Sequence, residues 1–289
     1  MGTEHLKMNW TPALDEAQMV LGFSGWMDGG EVSTGAVDYL VKTLQARRFG
    51  GIANRGFYIY NFPGSMDIAA LFRPHTEIEG GLVTSYQEPR NRFFVDESKG
   101  LVLFSGKEPN LGWHDFADCI FGVAEQTGVR RILFIGSVSG AVPHTRAPRF
   151  HASVSEEHLL GLLERHGIEP SNYEGPASFI THLLRHAPTR DIELVSLVAE
   201  VPAYVQGRNV KAMEATVRKL AAILHVPIAP HDLKILADAF ERRVKEMVGE
   251  REELRELVEK MEADYDREVR DSHMAGLEAW FEKQNIRLD

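Results

Sequence analysis

The 289-residue chain carries a net charge of −10, with 44% hydrophobic and 26% charged residues. That balance is ordinary for a globular protein with a large core and argues against a nucleic-acid binder, which needs clustered Lys and Arg. The single cysteine, Cys119, excludes an internal disulfide framework and suits a reducing cytoplasm; there is no signal-peptide pattern and no apolar run long enough to cross a membrane.

After a lead-in over 1–18, residues 18–23 read as the first core strand. The strand runs into Ser24-Gly25-Trp26-Met27-Asp28-Gly29-Gly30-Glu31 and then a helix over 31–46, where Val32, Ala36, Tyr39, Leu40, Thr43 and Leu44 recur at helical spacing. Asp28 is placed as the N-cap, with Glu31 three residues on as in a capping box. This loop is either a ligand contact or a plain strand-to-helix turn. Residues 52–60 read as a strand, and 65–80 as irregular or briefly helical, interrupted by Pro74. Three β-rich runs, 81–86, 92–95 and 101–104, suggest an antiparallel meander joined to the sheet. Residues 113–126 form an amphipathic helix with Phe116, Ile120 and Phe121 inward, Cys119 beside them, and Gly128 as the C-cap.

The run 132–135 has the unbroken apolar character of a strand buried on both faces. Gly136 is expected to end it, and 137–141 to form a small-residue loop. Pro143, His144, Thr145 and Arg146 then fall at the strand's carboxyl end, where open α/β sheets place their crevices. A helix over 155–166 capped by Ser155, a turn at 173–176 and a helix over 177–187 follow. Next come a core strand over 193–198, the segment 200–205 past its carboxyl end, and a helix capped by Asn209 that runs to 224. The expected fold class is α/β: a mixed, mainly parallel sheet flanked by helices, with a core domain over 1–230 and a helical extension over 231–289.

The extension carries two interlocking seven-residue series. One is Leu233, Phe240, Met247, Leu254 and Met261; the other is Ala237, Val244, Arg251, Val258 and Tyr265. Such an a/d stripe must pack, either back on its own domain as a helical hairpin turning at Gly249 or within 271–276, or on a partner. Arg251 on the seam and Gly249 beside it weaken a long coiled coil. Leu277, Trp280, Phe281 and Ile286 form a last apolar group able to dock.

Intact catalytic signatures are absent. There is no phosphate loop and no G-x-G-x-x-G after the first strand, and Gly136-Ser137-Val138-Ser139-Gly140 fails as a nucleophile elbow because its middle residue is Val138. Ser137 or Ser139 with His144 as base remains an alternative. His182 and His186 have i,i+4 spacing without the H-E-x-x-H context, which argues against a metal. His144 and Arg146 either bind an anion with loop amides, or Arg146 pairs with a carboxylate such as Asp28 or Glu174. The candidate crevice residues are Trp26, Asp28, Gly136, His144, Thr145, Arg146, Glu174 and Tyr204, with no catalytic residue, metal or cofactor assigned.

Four segments carry a resemblance. Gly25-Trp26-Met27-Asp28-Gly29-Gly30 is similar to the G-W-x-D-A-G motif of the proteasome assembly chaperone family, in its bacterial and archaeal branch, with Gly29 where Ala is usual. Val142-Pro143-His144-Thr145-Arg146 resembles the family's V-P-H-T-R segment, and Tyr173-Glu174-Gly175-Pro176 and Val201-Pro202-Ala203-Tyr204-Val205 match in order, so the resemblance spans about 18–225. It implies an α/β core like that of purine nucleoside phosphorylases, a helical C-terminal extension, and self-association as trimers or other small rings. Phosphorylase function does not follow from the fold. The expected function is a non-enzymatic, cytoplasmic, homo-oligomeric assembly or interaction protein with a protein client and neither nucleic acid nor membrane as partner. The alternative is a small-molecule-binding protein or a hydrolase/transferase using the crevice.

Overall fold

Apolar residues alternate between the two faces of the central strands, and that alternation builds two cores. The computed structural model describes residues 2–283. In β2 (Ala17–Ser24), Met19, Leu21 and Phe23 point to one face and Val20 to the other; in β8 (Val129–Gly140), Ile132 and Phe134 oppose Leu133 and Ile135. Burial on both sides explains why these strands read as continuous apolar runs. With β7 (Leu101–Lys107) and β11 (Glu193–Pro202) they form a parallel centre in the order β7-β2-β8-β11.

Antiparallel pairings extend both edges, with a last parallel one between β9 and β10. β6 (Asn91–Asp96), β3 (Arg47–Ile52) and β1 (Leu6–Met8) continue from β7, while β9 (Phe150–Val154) and the two-residue β10 (Glu169–Pro170) continue from β11. The result is one nine-stranded mixed sheet flanked by helices, as expected. α3 (Trp113–Gln126) and α5 (Phe179–His186) cover one face around a cluster of phenylalanines that includes Phe23, Phe104, Phe116, Phe134 and Phe179. α1 (Val32–Thr43), α4 (Leu160–Arg165) and α6 (Val210–Leu224) cover the other. Gly22 permits the close approach of α1, since a Cβ there would stand 2.7 Å from both Ser33 O and Val37 Cγ2. Buried Ser33 locks the contact: its hydroxyl donates to Ile135 O and accepts from Phe23 N.

Several expectations needed correction. The strand expected at 52–60 is β3, at Arg47–Ile52; residues 53–60 leave the sheet and begin an arm running to residue 90. In that arm, α2 (Met66–Ala70) precedes a hairpin of β4 (His75–Glu79) and β5 (Leu82–Gln87), which pair only with each other. The run 81–86 therefore does not join the meander, although β6 and β7 do. Gly136 does not end β8. Pairing with β11 carries both strands on to Gly140 and Pro202, so 137–140 and 200–202 are strand rather than loop. The helix expected over 155–166 is a 3-10 turn followed by the short α4. Ser155 does not cap it, because its hydroxyl accepts from Leu194 N across the sheet.

The tail forms two helices, α7 (His231–Gly249) and α8 (Glu252–Lys283), which fold back on the core. Arg251 falls in the break between them. Leu233 joins the core under α6, and Val244, Val248 and Val258 pack with Phe240, Met247, Leu254 and Tyr204. Leu277, Trp280 and Phe281 lie on the last turns of α8, beyond its described side chains, and Ile286 lies outside the described residues. No helix among the described residues is long and apolar enough to cross a membrane.

Candidate functional site

The loop after β2 is pinned across the carboxyl end of β8. Ser137 N donates to Met27 O at 2.9 Å, and the Ser137 hydroxyl donates to Gly29 O at 2.7 Å. Asp28 does not cap through a box. Its carboxylate accepts from Thr34 N and Thr34 Oγ1, at 3.2 and 2.8 Å, while Glu31 has positive φ and makes no capping bond. Burial pushes the Asp28 carboxyl above its usual range, against the pull of those hydrogen bonds. Gly30 also has positive φ, and a Cβ there would meet Asn209 Cβ at 2.8 Å. Asn209 caps α6 as expected, accepting from Ala212 N.

This loop forms one lip of a crevice of about 800 Å³ at the strand carboxyl ends. Trp26 is 68% exposed on that lip, and Tyr173 faces it at 67% from the loop before α5. Glu108 ties the two sides together: one carboxylate oxygen accepts from Trp26 N and the other from Phe179 N, each at 3.0 Å. No local motif marks Glu108 for this role. On the crevice wall, His151 Nε2 lies 3.1 Å from Glu200 Oε1 and its Nδ1 lies 3.7 Å from Glu169 Oε2. His151 was also missed, because it becomes visible only once β9 is paired with β11.

The expected single crevice divides in two. Of the candidates, Trp26 lines the cavity, with Ser137 rather than Gly136 beside it. Gly136 is buried in β8 against Met27 and Phe134. Glu174 is exposed and is not among the lining residues. His144, Thr145, Arg146 and Tyr204 gather instead under the tail. The Tyr204 hydroxyl lies 2.8 Å from both His144 N and His144 Nδ1. Thr145 donates to Glu262, and Arg146 forms a two-pronged bond to Asp266 at 2.8 Å for each contact. The carboxylates expected to face Arg146, Asp28 and Glu174, are not its partners; α8 supplies them from 120 residues away. Arg149 pairs with Glu268, Lys211 pairs with Glu241, and Tyr265 donates to Ala147 O.

His144 is 3% exposed, and burial followed by the nearby Lys211 charge holds its imidazole below the usual range. The hydrogen bond from Arg146 holds Asp266 below the ordinary carboxylate range. The arrangement expected for a hydrolase does not form: His144 faces Tyr204, Ser137 is committed to Gly29 O, and among the described residues no serine hydroxyl is bonded to an imidazole. Cys119 is fully buried and its thiol is pushed up to about 12 by burial and by Asp118 and Asp115, which removes it as a nucleophile.

No curated protein sequence matches the chain. Among solved structures, it is similar to a proteasome-assembly chaperone homologue from Mycobacterium tuberculosis, with 28% identity over 83% of this chain and 99% of that one and a TM-score of 0.72. A PAC2 family protein from Streptomyces avermitilis is 26% identical over 84% of this chain and 99% of that one, with a TM-score of 0.70. An archaeal proteasome activator from Pyrococcus furiosus is 19% identical over 84% and 97%, with a TM-score of 0.61, and shares the fold. The PAC2 family model matches residues 22–248, from the end of β2 through nearly all of α7, and the chain belongs to the PAC2 family.

Proposed function

We propose that the protein is a non-enzymatic, homo-oligomeric interaction protein of the assembly-chaperone type, acting in the cytoplasm on a protein client. The arm over 53–90 carries this reading. Met66, Leu71 and Leu82 are 88%, 77% and 73% exposed there, together with exposed Ile78, Val83 and Tyr86. A run of large apolar side chains exposed on one segment marks a surface suited to a protein partner. The β4–β5 hairpin is also unsupported by the main sheet, and an isolated two-stranded hairpin is marginal in water. A second copy of the chain, in a trimer or another small ring, would cover the apolar groups and support the hairpin together. The kinship with a chaperone homologue and a proteasome activator supports a proteasome-type complex as the client.

Sedimentation velocity at micromolar concentration tests this reading. An oligomer that the double substitution Leu82→Lys and Val83→Lys converts to a folded monomer is the expected result. A wild-type monomer would overturn it. The crevice favours a second reading, since a histidine between two carboxylates facing a cavity of about 800 Å³ suits a small polar ligand. Thermal shifts with nucleosides, nucleotides and phosphate, lost in His151→Ala, would support it.

A further inference from the structure

Three imidazoles meet where α3 packs against α5. His114 lies in the first turn of α3, and His182 and His186 share one face of α5. The His114 ring lies 4.6 Å from that of His182 and 5.5 Å from that of His186, and the two α5 rings lie 4.4 Å apart. One nitrogen of each falls within 4.8 Å of the others. His182 is held in place by aromatic neighbours, Phe179 stacking on it and Trp113 meeting it edge-on. The Trp113 indole donates to Pro109 O and is therefore committed elsewhere. Among the described residues no carboxylate or carbonyl engages the three rings.

Such a cluster has no structural use for a proton. Three rings this close repel one another when charged. Neutral imidazoles present nitrogen lone pairs instead.

We propose that His114, His182 and His186 bind a late first-row divalent cation, with Zn²⁺ the natural occupant. Three nitrogen donors suit Zn²⁺, Ni²⁺, Co²⁺ and Cu²⁺ and do not suit Mg²⁺ or Ca²⁺, which take oxygen. A Zn–N bond of about 2.1 Å sets tetrahedral ligand nitrogens about 3.4 Å apart. The three nitrogens must close further to reach that spacing, and exposed His114 is the least constrained of them. The ion cross-links two helices. Because Ile180, Thr181 and Leu184 of α5 line the crevice, it also fixes one crevice wall. The proposal is independent of the oligomeric reading above.

The test uses untagged, chelator-treated full-length protein and isothermal titration with Zn²⁺, Ni²⁺ and Mg²⁺, alongside melting curves. The expected result is one Zn²⁺ per chain with a dissociation constant in the micromolar range or tighter, a raised Tm, and no Mg²⁺ binding. Exposed His114→Ala leaves the fold intact and weakens Zn²⁺ at least tenfold, and the double variant His182→Ala/His186→Ala abolishes the Tm rise. Unchanged Zn²⁺ affinity in His114→Ala, or equal binding of Mg²⁺, would overturn the proposal.

Discussion

Around the crevice, Trp26 and Tyr173 stand in solvent and His151 faces an open cavity. Under the tail, every charged group near residues 144–149 already has a partner from α7 or α8. Both regions sit at the carboxyl ends of the same parallel strands, and both contain histidine, arginine or glutamate. The difference lies in where the partners come from. Buried charge is retained when it is paired; Arg146 and Arg149 find their carboxylates on the tail, so the V-P-H-T-R segment is a clasp for it, whereas His151 on the crevice wall pairs within the sheet with Glu200. A polar cluster at a strand end thus stays a candidate site only where no later element of the chain binds across it.

The largest expected effect comes from breaking the clasp's apolar base. Val258 is buried against Val244 and Val248. Val258→Asp places an unpaired charge there and is expected to cost about 3–5 kcal/mol, measured by urea unfolding. It should also expose α8 to limited proteolysis while leaving the sheet protected. Equal protease resistance in the variant would show that the tail is not held by this contact.

Glu108→Ala tests the crevice side. It strips the acceptors from Trp26 N and Phe179 N together; water can replace the first, at exposed Trp26, and leaving the donor of buried Phe179 unsatisfied is expected to cost about 1–3 kcal/mol. Trp26 fluorescence should change with it, whereas Glu108→Gln, which keeps one acceptor, should lose less. A silent Glu108→Ala would mean that the two lips are positioned independently.

His144 gives the comparison a pH axis. Its folded-state pKa is lowered, chiefly by burial, so the unfolded chain takes up the proton first as pH falls below about 6.5. Stability is therefore expected to decline from pH 7 toward 5, and His144→Gln should flatten that slope in melting curves taken across the range. An identical slope in the variant would assign the decline to other groups.

How far the sequence reached follows from the same distinction between local and remote determinants. β2, α3 and the Asn209 cap were legible because periodicity and capping chemistry are local. β9 was not legible. Phe150–Val154 is a half-buried run after a proline-rich segment, and its strand identity depends on pairing with β11, some forty residues on. The His151–Glu200 contact was hidden for the same reason. The run 82–87 showed its β propensity, but nothing within it said that it would pair with β4 rather than join the sheet. Arg146 was recognised as a residue that must be paired, yet its partners lie on α8, so the predicted crevice absorbed residues that belong to the clasp.

The smallest effect is expected at the clasp's rim. Arg146 and Asp266 make two good hydrogen bonds, but both side chains remain partly in water, where screening and side-chain entropy erode the gain. The pair lowers the Asp266 pKa, so its contribution is complete above the unfolded value of about 3.9 and is lost as pH falls through the folded one. Near neutral pH, Arg146→Ala should therefore lower Tm by less than Glu108→Ala does, and molar salt should narrow the difference from wild type. As pH falls below about 4 and through the folded value, the variant and wild type should converge. A loss that matched Glu108→Ala and ignored salt would show that Arg146 works through its packing against the tail rather than through its charge.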